Sequence, residues 1–323
     1  MKRRDFIITL LGGAAAARPL AGLAQETGKV RRIGFLRVGE PPAAFIDGFR
    51  RGLREVGLVE GRDFVIEFGL PQNTAQVPAA AAELVRRRVD ILLASGTPSV
   101  LPARDAAGQI PVVFVATFDP VATGLVASLA RPGGNITGMT SISGDVIAKR
   151  LQLVTELIPK SARIAILVRE TSPTAAQYVR ESQAAARSMG ISLQIENARD
   201  VNDLDAMFVA VNGASVLLVA DDAEFTARRA ELARLGLKHR LPTVSGLKEM
   251  VEAGGLMAYG GRFAELYRRA ASHVHKILQG TSPADLPVEQ TSKFELVINA
   301  ETARMLGLDI PPTLLARADE VIE

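Results

Sequence analysis

Short β-branched runs alternate regularly with longer segments of helical period, and this pattern constrains the chain more than any other feature. Arg32–Leu36, Phe64–Phe68, Asp90–Ala94, Pro111–Ala116 and Asn135–Met139 read as a first series of strands. Arg163–Val168, Ser192–Glu196, Ser215–Ala220 and Pro242–Ser245 read as a second. Helical period marks Ala43–Val56, Ala75–Arg88, Thr123–Leu129, Ala148–Leu157, Thr174–Met189, Leu204–Asn212 and Glu224–Lys238. The stretch AAELVRRRVDILLASG (81–96) shows the period changing from helix to strand in one view. Strands read as apolar throughout, with helices between them, predict parallel sheets covered on both faces. Two such series predict an α/β chain of two doubly wound, parallel-sheet lobes.

Glycine and serine cluster in GMTSISG, Gly138–Gly144, and place the break between the lobes there. Beyond the second series the chain has a further strand, Leu256–Tyr259, a long helix to Leu278, and the loop-plus-strand segment TSPADLPVEQTSKFELVIN. If these cross back to the first lobe and again to the second, several segments link the lobes as a hinge near 138–144 and 254–261. The expected division is 30–140 plus about 257–285 for the first lobe, and 141–256 plus about 289–323 for the second.

The first 24 residues carry a different message. Lys2, Arg3 and Arg4 precede an apolar run, Phe6–Ala17, and then Gly22-Leu23-Ala24 offers small residues before a cut. This is the layout of an export signal, too short to span a bilayer. The Arg3-Arg4 pair points to the twin-arginine route, with an ordinary secretory signal as the alternative. The chain has no cysteine, so neither a lipid on an N-terminal cysteine nor a disulfide is available. Taking the four basic residues and one acidic residue of 1–24 from totals of 38 and 35 leaves 34 of each sign. A balanced mature chain gives no basic footprint for nucleic acid. Together these features place the protein in the periplasm.

Several strands end in a turn followed by proline: Gly39-Glu40-Pro41-Pro42, Thr97-Pro98, Asp119-Pro120 and Thr171-Ser172-Pro173. Thr97, Asp119 and Ser172 suit the N-cap of a helix, with the proline at its first position. Free amides at such helix starts, at the carboxyl ends of parallel strands of both lobes, could clasp the carboxylate of a solute. Asp119, Asp221 and Asp222 each follow a strand and are candidates for holding an ammonium group.

Catalytic signatures are missing. The first turn, RVGEPPAAF, lacks the glycines of a dinucleotide fold, and neither a P-loop lysine pattern nor a G-x-S-x-G elbow occurs. The histidines are His239, His273 and His275; the last two are two apart, so on a helix they diverge and cannot share a metal. They read as surface residues. No catalytic set, cofactor or metal site is expected.

Further stretches resemble a known family. IGFL (33–36), AAELVRRRVD (81–90), GTP (96–98), DPVATGLVASLARPGGNITG (119–138), AKRLQLVTELIP (148–159), EAGGLMAYG (252–260) and the tail from Leu286 to Glu323 are similar to ABC-transporter substrate-binding proteins of the tryptophan-binding-like branch. The resemblance covers essentially the whole chain. It implies a periplasmic binding protein type 1 fold that closes on a small solute and presents it to an ABC permease in the inner membrane, as a monomer. It also implies pocket positions near Gly39, Thr97, Pro98, Asp119, Ser141, Thr171, Asp222 and Tyr259. Three turns depart from the family pattern: Gly39-Glu40 replaces Gly-Ser, RETSP replaces an Asn-Pro-rich turn, and ADDAEF replaces an aromatic-rich version. With no tryptophan and 5% aromatic residues, these changes favour a smaller polar or carboxylate, amino-acid-like solute. An exported α/β enzyme and a ligand sensor for a membrane kinase are the rival readings.

Overall fold

A computed structural model describes residues 29–142, 144–158, 163–199 and 201–323; the export signal expected at 1–24 lies outside them. The first lobe opens with β1 (Arg31–Arg37), α1 (Ala43–Glu55), β2 (Phe64–Gly69), α2 (Val77–Arg86), β3 (Ile91–Ser95), α3 (Thr97–Ala107), β4 (Val112–Phe118) and β5 (Ile136–Ile142). The second contains α4 (Gly144–Leu157), β6 (Arg163–Arg169), α5 (Ala175–Met189), β7 (Ser192–Ala198), α6 (Leu204–Ala210), β8 (Val216–Val219), α7 (Ala223–Ala227), α8 (Arg229–Lys238), β9 (Thr243–Ser245), α9 (Lys248–Glu252) and β10 (Met257–Gly261). The chain then returns to the first lobe for α10 (Phe263–Leu278) and β11 (Glu289–Gln290). It ends in the second with β12 (Phe294–Asn299), α11 (Ala300–Leu306), α12 (Pro312–Leu315) and β13 (Glu320–Ile322).

Among the described residues the strands form a six-stranded sheet, β11-β5-β4-β3-β1-β2, and a seven-stranded sheet, β13-β12-β10-β9-β8-β6-β7. The first is parallel throughout; the second is parallel except where β12 runs against β10. The inner strands β3 and β8 are buried along their whole length. That is why they carry continuous apolar runs rather than alternating ones. Helix α1 turns Phe45, Ile46, Phe49 and Leu53 inward, one apolar stripe of helical spacing. Its Gly48 and Gly52 let α10 approach backbone to backbone; a Cβ on either would run into the carbonyl oxygens of Ala264 and Arg268.

The chain passes between lobes after β5, after β10 and after β11. One boundary and one helix differ from expectation. Met257–Gly261 belongs to the second sheet, where β10 pairs with β9 on one side and β12 on the other; only α10, after it, packs on α1 of the first lobe. The crossing therefore follows Gly261 instead of falling inside 254–261. The helix expected at Thr123–Leu129 is replaced by turns. Gly124 takes φ +67°, and the amides of Leu125 and Val126 both donate to the Pro120 carbonyl, which no continuing helix allows.

Candidate functional site

The carboxyl ends of β1, β3 and β4 face those of β6, β8 and β9 across the lobe interface. A cavity of about 30 Å³ lies between them, lined by Arg37, Phe45, Gly96, Asp222, Leu247, Phe263 and neighbours. That is the space of one water molecule. A recess of about 840 Å³ outside it is lined by Gly39, Thr74, Arg169, Thr171, Glu224 and Ala227 among others.

Contacts across the interface hold the lobes together. Thr74 of the first lobe donates from its amide and its hydroxyl to Glu224 Oε1 of the second, at 2.9 and 2.5 Å. Gln177 Nε2 donates to Asp119 Oδ2 at 3.2 Å. Gly39, at φ +65°, lies so close that a Cβ there would stand 2.5 Å from the Ala227 Cβ. Only glycine meets both that conformation and that approach.

Arginines dominate the interface. Arg150 is fully buried; it donates to the Tyr259 carbonyl at 3.0 Å, the Tyr178 hydroxyl at 3.1 Å and Asp221 Oδ2 at 2.9 Å. Asp221 Oδ1 accepts in turn from the Gly246 amide at 2.8 Å. Burial pushes the Tyr178 hydroxyl up to about 12 despite the adjacent guanidinium, so this phenol stays a neutral hydrogen-bonding group. Arg169 grips both oxygens of Asp222 at 3.1 Å and donates to Thr171 Oγ1 at 2.5 Å. Arg37 donates to Ser95 Oγ at 3.0 Å and lies 5.5 Å over the Phe45 ring. Ser95 in turn contacts the Tyr267 hydroxyl.

The residues singled out from sequence separate into groups. Asp222 lines the cavity and caps α7, accepting from the Glu224 amide at 2.8 Å. Gly39 and Thr171 line the outer recess. Thr97 is the first residue of α3 instead of its cap: Gly96 holds the cap position, and the Thr97 hydroxyl accepts from the Phe118 amide at 3.1 Å. Pro98 is buried in the same turn. Asp119 opens a turn, not a helix, accepting from the Ala122 amide at 2.9 Å. Ser172 does not cap α5, which begins at Ala175 after Thr174; its hydroxyl meets that of Thr174 at 3.3 Å. Tyr259 stacks against Phe294 in the second lobe, centroids 6.1 Å apart. Ser141 falls in β5, and its side chain lies outside the described residues. His273 is no surface residue: it is buried in α10, with Nε2 3.0 Å from the Pro287 carbonyl oxygen.

Sequence reasoning passed over Arg37, Arg150 and Arg169. A signal for two of them was present. RRIGFLR and RIAILVR each end an apolar strand on an arginine, and a strand covered on both faces can release a charge only at its end.

Two hinged α/β lobes with a cavity at the facing strand ends define a periplasmic binding protein of type 1. The family model for ABC transporter substrate binding proteins matches residues 39–322, and the chain belongs to that family, whose members bind solutes and are not enzymes. The "Tyrosine-binding protein" of Clostridioides difficile (strain R20291) is 25% identical, with 95% of this chain and 94% of that protein covered. An ABC domain from Streptococcus pneumonia in complex with L-Trp is 25% identical and has a TM-score of 0.84, over 91% of this chain and 100% of that one. A substrate binding protein with adhesive properties from Clostridium difficile, in a ligand-free, open structure, is also 25% identical. It has a TM-score of 0.64 over 91% of this chain and 99% of that one. No helix among the described residues is long and apolar enough to cross a membrane.

Proposed function

We propose that this protein is the periplasmic receptor of an ABC importer. It closes its lobes on a small polar or carboxylate solute of amino-acid size and presents the closed form to a permease in the inner membrane. It leaves the cytoplasm by way of residues 1–24, through the twin-arginine route, and works as a monomer. The observation that carries this reading is the interlobe interface itself, in which strand ends of both lobes meet around one cavity and are tied by Thr74–Glu224 and Gln177–Asp119. A cavity of about 30 Å³ is far below the roughly 300 Å³ of ordinary ligand pockets. Solute therefore enters an opened form, and the interface side chains rearrange around it. The relatives named for tyrosine and bound to L-Trp support an amino-acid-sized guest.

Thermal unfolding against a panel of amino acids and small carboxylates tests the reading. A solute at 100 times its Kd should raise stability by about 2.7 kcal/mol, and small-angle scattering should register compaction on binding. No shift and no compaction with any small solute would count against it. Co-purification with a histidine kinase in place of a permease would reassign the receptor to signalling.

A further inference from the structure

Arg37 and Arg169 occupy corresponding places. Each is the seventh and last residue of its lobe's first strand, and each is 3% exposed. Strand β3 lies beside β1 as β8 lies beside β6; the last residue of β3 answers Arg37, and a residue just beyond the end of β8 answers Arg169. In the second lobe the answer is a carboxylate: Asp222 takes Nε and Nη2 of Arg169 at 3.1 Å each. In the first lobe it is the neutral hydroxyl of Ser95, at 3.0 Å from Nη1. Among the described residues no carboxylate lies within 4.0 Å of the Arg37 guanidinium, and its buried Nε–H has no partner. A buried cation without a counter-charge is costly, and this one borders the interlobe cavity.

The acids at the same cavity are already engaged. Asp221 accepts from Arg150 and the Gly246 amide; Asp222 accepts from Arg169 and the Glu224 amide. Each carboxylate thus has both a guanidinium and a backbone amide. What the cavity offers a guest is therefore donors: an arginine with spare N–H groups and no free acceptor of matching charge. Thr226 also lines it, its hydroxyl donating to the Asp222 carbonyl at 2.8 Å; the other side chains of the wall are apolar, with Phe45, Ala116, Leu247 and Phe263.

Building on the receptor reading above, we propose that the solute is an organic carboxylate lacking an α-ammonium group, with Arg37 as its counter-ion and the selector of its class. The carboxylate completes in the first lobe the pairing that Asp222 completes in the second. An α-amino acid would bring an ammonium group to a wall of engaged acids and rings. It would either remain unpaired there or break an existing pair, and either is costly.

Calorimetric titration of the purified protein with matched acids decides the matter: propionate and L-alanine, 4-methylpentanoate and L-leucine, 3-phenylpropionate and L-phenylalanine, glutarate and L-glutamate. At least one deaminated acid should bind, about tenfold or more tighter than its amino acid. R37Q should weaken that binding by about 100-fold, with R37K, which keeps the charge but not the fork, intermediate. The melting temperature of solute-free R37Q should equal or exceed that of the wild type, because a buried unpaired charge has gone; a merely structural arginine would show the reverse. An amino acid that binds tighter than its deaminated partner and compacts the protein overturns this inference while leaving the receptor standing. Absence of binding by every acid up to about 10 mM, or equal affinity in R37Q, also overturns it. Failure of all small solutes to compact the protein removes the receptor reading itself.

Discussion

Replacing Glu249 by glutamine should make the protein more stable in mild alkali and leave it unchanged in acid. Glu249 lies in α9 and is buried, 7% exposed. Burial is the main cause that lifts its carboxyl from the ordinary 4.5 to about 7, and the charges of Glu252 and Glu295 add to it. Its own backbone amide and Lys248 pull the other way. Lys248 is shared with Glu252 and Glu320, so its help is limited. On the first-lobe side, Tyr267 of α10 feels the Glu249 charge. Below pH 4.5 the carboxyl is protonated in both folded and unfolded chains and has no effect. Between 4.5 and about 7 the unfolded chain releases the proton while the folded one keeps it, so stability falls as pH rises. Above 7 both are ionised and the folded protein bears the full penalty. At 1.36 kcal/mol per decade, the gap between 4.5 and about 7 corresponds to about 3 kcal/mol. Urea unfolding of wild type and E249Q at pH 4.5 and pH 8 measures it, with unchanged m-values showing that the same surface is exposed. The variant should gain about 3 kcal/mol over wild type at pH 8 relative to pH 4.5. An equal difference at both pH values, or a gain confined to acid, would refute the argument.

Three other perturbations probe the interface. Asp221→Ala removes the counter-charge of fully buried Arg150 and should cost about 3–5 kcal/mol in denaturant unfolding. Gly39→Ala puts a methyl group 2.5 Å from Ala227 at φ +65°. It should cost about 1–2 kcal/mol of backbone strain and enlarge the radius of gyration of the solute-bound form. Thr74→Val deletes the hydroxyl that reaches Glu224 across the lobes. Solute release in stopped-flow should then be faster by about 1.5–3 kcal/mol of lost barrier, with little change in chemical stability.

The central strands were legible because burial on both faces leaves a simple trace: Ile91–Ala94 and Val112–Ala116 are apolar without a break. Sheet membership of a late strand leaves no such trace. Met257–Gly261 would suit either sheet, and only its pairing with Thr243–Ser245 and Phe294–Asn299 decides. The capping residues were misread for a related reason. Thr97, Asp119 and Ser172 have the right side chains for helix starts, yet the Thr97 hydroxyl is drawn to the Phe118 amide and Asp119 to a turn. A short polar group will serve whichever orphan amide the tertiary fold brings near. Arg37 and Arg169 were hidden by their type: arginine at a strand end ordinarily reads as solvent-facing, yet both are 3% exposed.

The unequal treatment of the two strand-end arginines bears on how the lobes close. In the second lobe the charges are settled within that lobe: Arg150 with Asp221 and Arg169 with Asp222 survive opening unchanged. Of the groups that meet across the interface, Glu224 gains Thr74 and Asp119 gains Gln177. Such hydrogen bonds contribute about 0.5–3 kcal/mol each. Against them stands Arg37, which is buried in this arrangement with no anion beside it. The terms are of similar size and opposite sign, so the empty protein should be finely balanced between open and closed. A bound anion reverses only the Arg37 term, since it touches no charge that is already paired. Because a ligand shifts an equilibrium only by its differential affinity for the two states, that single guanidinium is where solute binding becomes lobe closure.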